Sequence, residues 1–385
     1  MREPSAMPDP APASPRAHAT LANVAERAGV SLKTASRAVN GERHVAEETR
    51  NRVMRAADDL GFQLNGLASL LKRGIRSDFV GLVTGDLANP FYSQLAKGVE
   101  RELRTAGLTL VVSSSDESGA RERALVDELV ARQVRALLVV STLESNASLA
   151  AAQQRGIPVV FVDRPPTDLA ADSVVLDNRA GAAAAVRHLQ RHGHSRIGFI
   201  GDFDRLPTHR QRLDGYLDAV EGAGGAGGRD GTETRMLVRE NSHDAESARR
   251  AATELLGLED PPTALFTSNN RVTIGALSAL REAGLTTALV GFDDFDLADV
   301  LGVTVVAHDP VDMGVRAARL ALDALAERGA LHGGERPAER SGERPGERSA
   351  EGSTVRGGGT ASLVLPTTLV PRGSGEVPPG TSWRR

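Results

Sequence analysis

A chain of 385 residues is too long for one compact core and calls for two or three domains. It has no cysteine, which excludes disulfides and thiolate metal sites, and no apolar run approaches the ~20 residues of a membrane span. Its net charge of −4 argues against nucleic acid only until the distribution is read: residues 16–76 carry eleven Lys and Arg against six Asp and Glu, a balance of +5 that leaves −9 for the rest. A basic head on an acidic body is the footprint of a DNA-binding module joined to something else.

Residues 1–18 hold Pro4, Pro8, Pro10, Pro12 and Pro15 among alanines and small polar residues, without the apolar stretch of a secretory signal, and are expected to form a disordered arm. Thr20 is placed to cap a helix whose apolar positions, Leu21, Val24, Ala25 and Ala28, fall at helical spacing. Gly29 suits the left-handed turn that ends it, and Ser31 caps a second short helix running to about Asn40. Two short helices about a Gly-centred turn predict a helix-turn-helix, whose second helix enters the major groove. Leu32, Lys33 and Arg37 then project from its exposed face, with Ala35 and Val39 turned inward. Lys33 and Arg37 suit guanine O6 and N7, and Leu32 suits a thymine methyl. A third helix is predicted over Glu47–Leu60, with Glu47 and Glu48 at its positive end and Gly61 as its stop. The competing reading of residues 19–64, a small helical bundle that binds protein, is disfavoured because turn, caps and charge agree.

From Phe79 onward short apolar runs alternate with helical stretches: 79–83, 109–113, 136–140, 159–163, 196–201, 263–267 and 288–292. Buried parallel strands read this way, so residues 77–370 are predicted to form a doubly wound α/β body large enough for two lobes. Ligands in such sheets sit beyond the carboxyl ends of the strands. The residues just after the runs are Asn89, Phe91 and Tyr92, then Asp163 and Arg164, Asp177 and Asn178, Arg212, Ser268 and Asn269, and Asp293 and Asp294. Carboxylate, amide and guanidinium groups around an aromatic platform suit a polyhydroxylated ligand. Asp294 reads equally well as a helix cap, and Asp177 as an anchor of its loop.

Three weaker signals are set aside. Gly222 to Gly227 spells GxGxxG, but no strand leads into it. His188, His192 and His194 have a spacing that could hold a metal, yet they lie on the lead-in to the strand at 196–201. The FDDFD run at 292–296 lacks the spaced ligands and central glycine of a calcium loop. Residues 333–359 repeat GERP and GERS units, a composition that buries no core, and are expected to be a disordered insert between a helix at 310–328 and a last strand at 362–370. Residues 371–385 are left as a tail.

The motifs LANVAERAGVSLKTASRAVN (21–40), ETRNRV (48–53), LGFQLN (60–65), LASLLK (67–72), NPFY (89–92), VDRP (162–165), GHSRIGFIG (193–201), RLDGY (212–216) and GFDD (291–294) together resemble the LacI/GalR, or lactose-repressor, family. The resemblance implies an N-terminal all-α helix-turn-helix head and a periplasmic-binding-protein-like α/β body of two doubly wound lobes. It implies a cytoplasmic repressor that binds a palindromic operator as a dimer and is controlled by a small effector, most often a sugar or sugar derivative, with no cofactor, metal or enzymatic activity. Operator contacts map onto Thr20, Ser31, Leu32, Lys33, Thr34, Ser36, Arg37, Asn40 and His44. A hinge helix within 65–76 would add Asn65, Ala68, Leu71 and Lys72, with Leu71 wedged into the minor groove. Effector contacts map onto Phe91, Tyr92, Arg164, Asp177, Arg212, Asn269 and Asp293. The chain departs from the family pattern at Ala35, usually Val; at Ala46, usually a Ser cap; at Gly66, usually a better helix former; and at Asn270, usually Asp. A transporter's solute-binding protein would share the body but carry an export signal and no head, and an enzyme would need a nucleophile with an oriented base.

Overall fold

Thr20 opens the first element of the head: its side chain accepts the Asn23 N–H while Asn23 Oδ1 accepts the Thr20 N–H, a reciprocal cap. In the computed structural model, which describes residues 19–39, 45–62, 77–222, 234–331, 353–357 and 359–380, this cap begins α1 (Leu21–Ala28). Gly29 ends α1 at φ 63°, where a side chain would be strained, and its N–H returns to the carbonyls of Ala25 and Glu26. Ser31 Oγ accepts the Thr34 N–H at 3.1 Å and starts α2 (Leu32–Val39). The third helix, α3 (Glu47–Asp59), has Glu47 and Glu48 in its first turn, and Ala46 gives it no side-chain cap. Val24, Ala25, Ala28, Ala35, Ala38, Val53, Ala56 and Ala57 form the buried core. Ala38 takes the fully inward place alongside Ala35, and Val39 is half-buried at its margin. Asn40, His44 and residues 63–76, with Asn65, Ala68, Leu71 and Lys72, lie outside the described residues.

The body begins at Ser77 as a separate compact unit. In chain order it contains β1 (Phe79–Thr84), α4 (Pro90–Thr105), β2 (Thr109–Ser114), α5 (Gly119–Ala131), β3 (Leu137–Val139), α6 (Ala150–Gln154), β4 (Val159–Asp163) and β5 (Asp172–Leu176). There follow α7 (Asn178–Arg191), β6 (Ile197–Ile200), α8 (Pro207–Gly222), β7 (Val238–Arg239), α9 (Ala245–Leu256), β8 (Ala264–Thr267), α10 (Asn270–Ala283), β9 (Ala288–Phe292) and β10 (Thr304–Ala307). The chain ends with α11 (Pro310–Leu331), β11 (Ser353–Gly357), β12 (Thr360–Leu365) and β13 (Thr368–Val370).

Two sheets define two lobes. Lobe one has the strand order β11–β12–β5–β4–β3–β1–β2, and lobe two β13–β10–β9–β8–β6–β7. All pairings are parallel except β11 with β12 and β13 with β10. Within lobe one, α4 and α11 pack so closely that a Cβ on Gly98 would lie 2.1 Å from the Val311 carbonyl oxygen, and one on Gly314 2.2 Å from that of Leu95. The chain crosses between lobes three times: at Asp177, at His308–Asp309, and at Pro366–Thr367.

Each apolar run named from the sequence is a strand, and β5, β7 and β10 add to them. Three expectations are corrected. The last run is two strands in different sheets, because Pro366 cannot donate to a ladder and turns the chain from lobe one to lobe two. The expected insert 333–359 ends too late: Ser353–Gly357 pair with Gly357↔Thr360 through Ser353↔Val364 as an edge strand of the first sheet. The expected tail is part of lobe two at least to Val377, which is buried, while Ser374 bonds Leu289 and Thr304, and Arg372 forms a two-point ion pair with Asp294 at 2.7 Å.

Candidate functional site

The carboxyl ends of the strands of both lobes face a cleft crossed by the three connections. On lobe one, the first turn of α4 and the loops after β2, β3 and β4 bring together Tyr92, Glu117, Ser141 and Arg164. The Arg164 guanidinium binds Glu117 at 2.7 and 2.8 Å, the Ser141 carbonyl at 3.1 Å and the Tyr92 hydroxyl at 3.3 Å. All three side chains are buried. Burial alone would raise the Glu117 carboxyl, but Arg164 outweighs it and holds the group below the usual carboxylate range. Burial pushes the Tyr92 hydroxyl well above its usual value, so it stays neutral and able to donate. Gly85 makes room for this group, since a Cβ there would lie 1.9 Å from Glu117 Oε1.

On lobe two the centre is Arg212. Its Nε donates to Asn178 Oδ1 at 2.8 Å, its Nη1 to the Ser268 carbonyl and to Asp293 Oδ2 at 3.4 Å, and its plane lies 3.8 Å over Phe292. The other Asp293 oxygen meets His308 Nε2 at 3.0 Å. Burial would raise the Asp293 carboxyl, yet Arg212 and His308 together keep it below the usual range. Asn269 caps α10, accepting the Val272 N–H, and donates to Asp202 at 2.9 Å. Asp202 also meets His243 at 2.8 Å, and the His243 ring stacks on Phe203, over which Arg205 lies at 4.2 Å. Phe91 packs edge-on against both Tyr92 and His308.

Strain marks the same place. Glu117, Asp163 and Asp293 have φ of 55°, 67° and 66°, a left-handed conformation that non-glycine residues keep only where their surroundings impose it. Asp163 ends β4 and Asp293 follows β9, the corresponding strands of the two lobes. Three buried cleft atoms, Arg164 Nε, Asn270 Oδ1 and His308 Nδ1, have no hydrogen-bond partner.

Six of the seven expected ligand residues, Phe91, Tyr92, Arg164, Arg212, Asn269 and Asp293, therefore gather at one cleft. Asp177 is exposed and caps α7 through the Ala180 N–H at 3.0 Å, while its own N–H binds the Leu365 carbonyl; it serves the crossing between lobes. Asp294, read as a possible cap, instead holds Arg372. Sequence reasoning missed Glu117, Asp202, Phe203, Arg205, His243 and His308, each in a loop after a strand, where only the topology brings them together. The three histidines at 188, 192 and 194 are structural: His188 meets Glu376, His192 the His188 carbonyl, and His194 Thr263 and the Val377 carbonyl. Among the described residues no cluster of His, Asp or Glu could hold a metal ion, and no helix is long and apolar enough to cross a membrane.

In the head, Thr20 and Ser31 are occupied as caps, with Thr34 bonded to Ser31. Lys33 and Arg37 are exposed on α2, Ser36 is half-buried there, and Leu32 keeps 55% of its surface in solvent. An exposed leucine beside two exposed cations on the second helix has the chemistry that suits base edges.

Residues 20–65 match the family described as bacterial regulatory proteins, lacI family, and residues 80–330 match the periplasmic binding protein domain. The HTH-type transcriptional regulator GalR of Escherichia coli (strain K12) is 31% identical over 315 residues, covering 80% of this chain and 90% of its own. The chain belongs to the LacI family of bacterial regulatory proteins. Among solved structures, a putative ribose operon repressor from Burkholderia thailandensis shares 28% identity at a TM-score of 0.62, covering 77% of this chain and all of its own. A complex of the transcriptional regulator CelR with cellobiose shares 28% identity at a TM-score of 0.61, covering 92% and 99%. As a LacI-family transcriptional regulator, the chain pairs a DNA-binding head with a ligand-binding body.

Proposed function

We propose that this regulator is a cytoplasmic repressor that binds a palindromic operator as a homodimer and is controlled by a sugar or sugar derivative held between Tyr92, Arg164, Arg212, Asn269, Asp293 and Phe91. The observation that carries this reading is the set of unsatisfied polar atoms in the cleft. Buried polar groups are nearly always bonded, and three of the six unbonded buried side-chain atoms among the described residues belong to this cleft, Arg164 Nε with only the Asp163 carboxylate 3.8 Å away, which favours a polar ligand there. Arg164 Nε can only donate, Asn270 Oδ1 can only accept, and His308 Nδ1 accepts if Nε2 donates to Asp293. A hydroxyl does both, so a polyol satisfies all three, and cellobiose in the CelR complex has this chemistry.

The dimer is supported by apolar surface on lobe two, where Ile274, Leu285, Leu297 and Val300 are exposed and Leu285 joins Leu277, Leu280, Leu301 and Val303 in lining a pocket of about 330 Å³. Patches of this kind mark association surfaces, and a two-fold pair of heads reads a two-fold site. A thermal-shift screen of sugars and sugar phosphates, followed by anisotropy on labelled operator, tests the proposal. A ligand that raises the melting temperature and shifts operator affinity supports it. Turnover of that ligand, or stabilisation with no effect on DNA, overturns it.

A further inference from the structure

Position 270, where the family resemblance leads one to expect Asp, lies on the seam between the lobes. Helix α10 of lobe two begins there, and its first two side chains reach the loop between β1 and α4 of lobe one. Asn270 Nδ2 donates to Asn89 Oδ1 at 2.9 Å, and the Arg271 guanidinium pairs with Asp86. Both anchors are fixed by their own loop. Asn89 Oδ1 also accepts the Phe91 N–H at 3.0 Å as the cap of α4, and Asp86 Oδ1 accepts the Ala88 N–H at 2.8 Å. Turning the Asn89 amide over would strip Phe91 of its partner, so Asn89 presents an acceptor to lobe two and position 270 must supply a donor. Asn supplies one. An ionised Asp accepts only, and would set its charge against the Asn89 oxygen close to Asp86.

We propose that Asn270 and Arg271 are a two-point latch that holds the lobes together, and that asparagine at position 270 lets this chain populate the closed arrangement with its cleft empty. Two weaker ties flank the latch: Arg205 Nη2 donates to the Glu117 carbonyl at 2.7 Å, a backbone oxygen that any sequence would offer, and His243 Nε2 lies 3.9 Å from Asp86, beyond hydrogen-bond distance. The specificity of the latch lies in Asn270 and Arg271. Its consequence is a population shift: a ligand meets a cleft already closed part of the time, and its differential affinity for the two arrangements has less to accomplish.

The absence of cysteine allows clean spin labelling of the full chain. Ser145→Cys and Arg210→Cys place nitroxides at exposed positions on opposite sides of the cleft, and pulsed dipolar spectroscopy without ligand or DNA reads the distance between them. The unsubstituted latch gives one dominant short distance. N270D moves most of the population to a longer one. N89D keeps the short distance, because a carboxylate accepts both N–H groups and still caps α4. R271E opens the lobes, and D86K with R271E closes them again. An N270D distribution identical to that of the parent overturns the proposal, as does N89D opening as far as N270D, which a merely structural asparagine pair would give. Should N270D fail to fold, the R271E and D86K/R271E pair decides alone. Because neither effector nor operator is present, failure here leaves the functional reading untouched.

Discussion

Arg212 spends its guanidinium on Asn178, the Ser268 carbonyl and Asp293, and Arg164 spends its two terminal nitrogens on Glu117, Ser141 and Tyr92. Arg164 belongs to a buried ion pair within one lobe, and removing one partner of such a pair leaves an uncompensated charge that costs about 3–5 kcal/mol. Arg164→Ala should therefore lower unfolding stability by that order in urea titration, and Glu117→Gln with Arg164→Met should recover much of the loss. Equal destabilisation in the single and the double variant would show that the pair's packing, not its charge, is what matters. In the head, exposed Arg37 should act on specificity instead. Arg37→Ala is expected to cost ~1–3 kcal/mol on the operator and relax preference at one base per half-site. Competition with random DNA checks this: a loss shared equally by both would make Arg37 a phosphate contact. Arg212 and Asp293 were legible from sequence because each stands in a motif, RLDGY and GFDD, and Asp293 directly follows the apolar run of β9. Glu117 and His308 were not: Glu117 stands three residues beyond β2 in no recognisable motif, and His308 follows β10, whose run the sequence analysis does not single out.

Elements were legible where burial is uniform. β1, β4 and β9 are buried parallel strands, and their continuous apolar runs fix them within a residue. β11 was hidden because STVRG has no apolar run: it is an edge strand, antiparallel to β12, attached to a low-complexity stretch. The C-terminal segment was hidden because its anchors are single residues far apart in sequence, such as Glu376 on Thr304 and His188. Two deletions separate these readings. Removing 337–348, the ERP and ERS repeats, should leave the melting temperature within a few degrees, because loop closure depends only weakly on length, ~0.6 kcal/mol per doubling. Extending the deletion through Gly357 removes the edge strand and should lower it further. Ending the chain at Pro371 should lower it as well, since it takes away the Arg372–Asp294 pair and the buried Val377. A full melting temperature after that truncation would return the segment to the status of a tail.

At the scale of the molecule the question is how an event in the cleft reaches DNA. Residues 65–76, the expected hinge and linker, lie outside the described residues. A ligand shifts an equilibrium between two arrangements only by its differential affinity, and allosteric coupling typically amounts to ~1–3 kcal/mol. A hydrogen bond to a buried charge is worth a comparable ~1.5–3 kcal/mol, so one group in the cleft can carry most of a response. Asp293 is the best placed to do so: it follows β9 in lobe two, and His308, which it holds, stands at a crossing into lobe one. Replacing it with alanine would confuse coupling with stability, because Arg212 would lose a partner in a buried place. Asp293→Asn keeps the shape and an oxygen for Arg212 or His308, but removes the charge that a donor-rich ligand would meet. We expect this variant to bind operator as the parent does, with its effector response reduced about tenfold or more, the equivalent of ~1.4 kcal/mol. Anisotropy on labelled operator, titrated with whichever sugar stabilises the parent chain, reads both quantities at once. A parental dose response would place the ligand away from Asp293, and a loss of operator affinity without ligand would mean that the carboxylate sets the resting arrangement of the lobes.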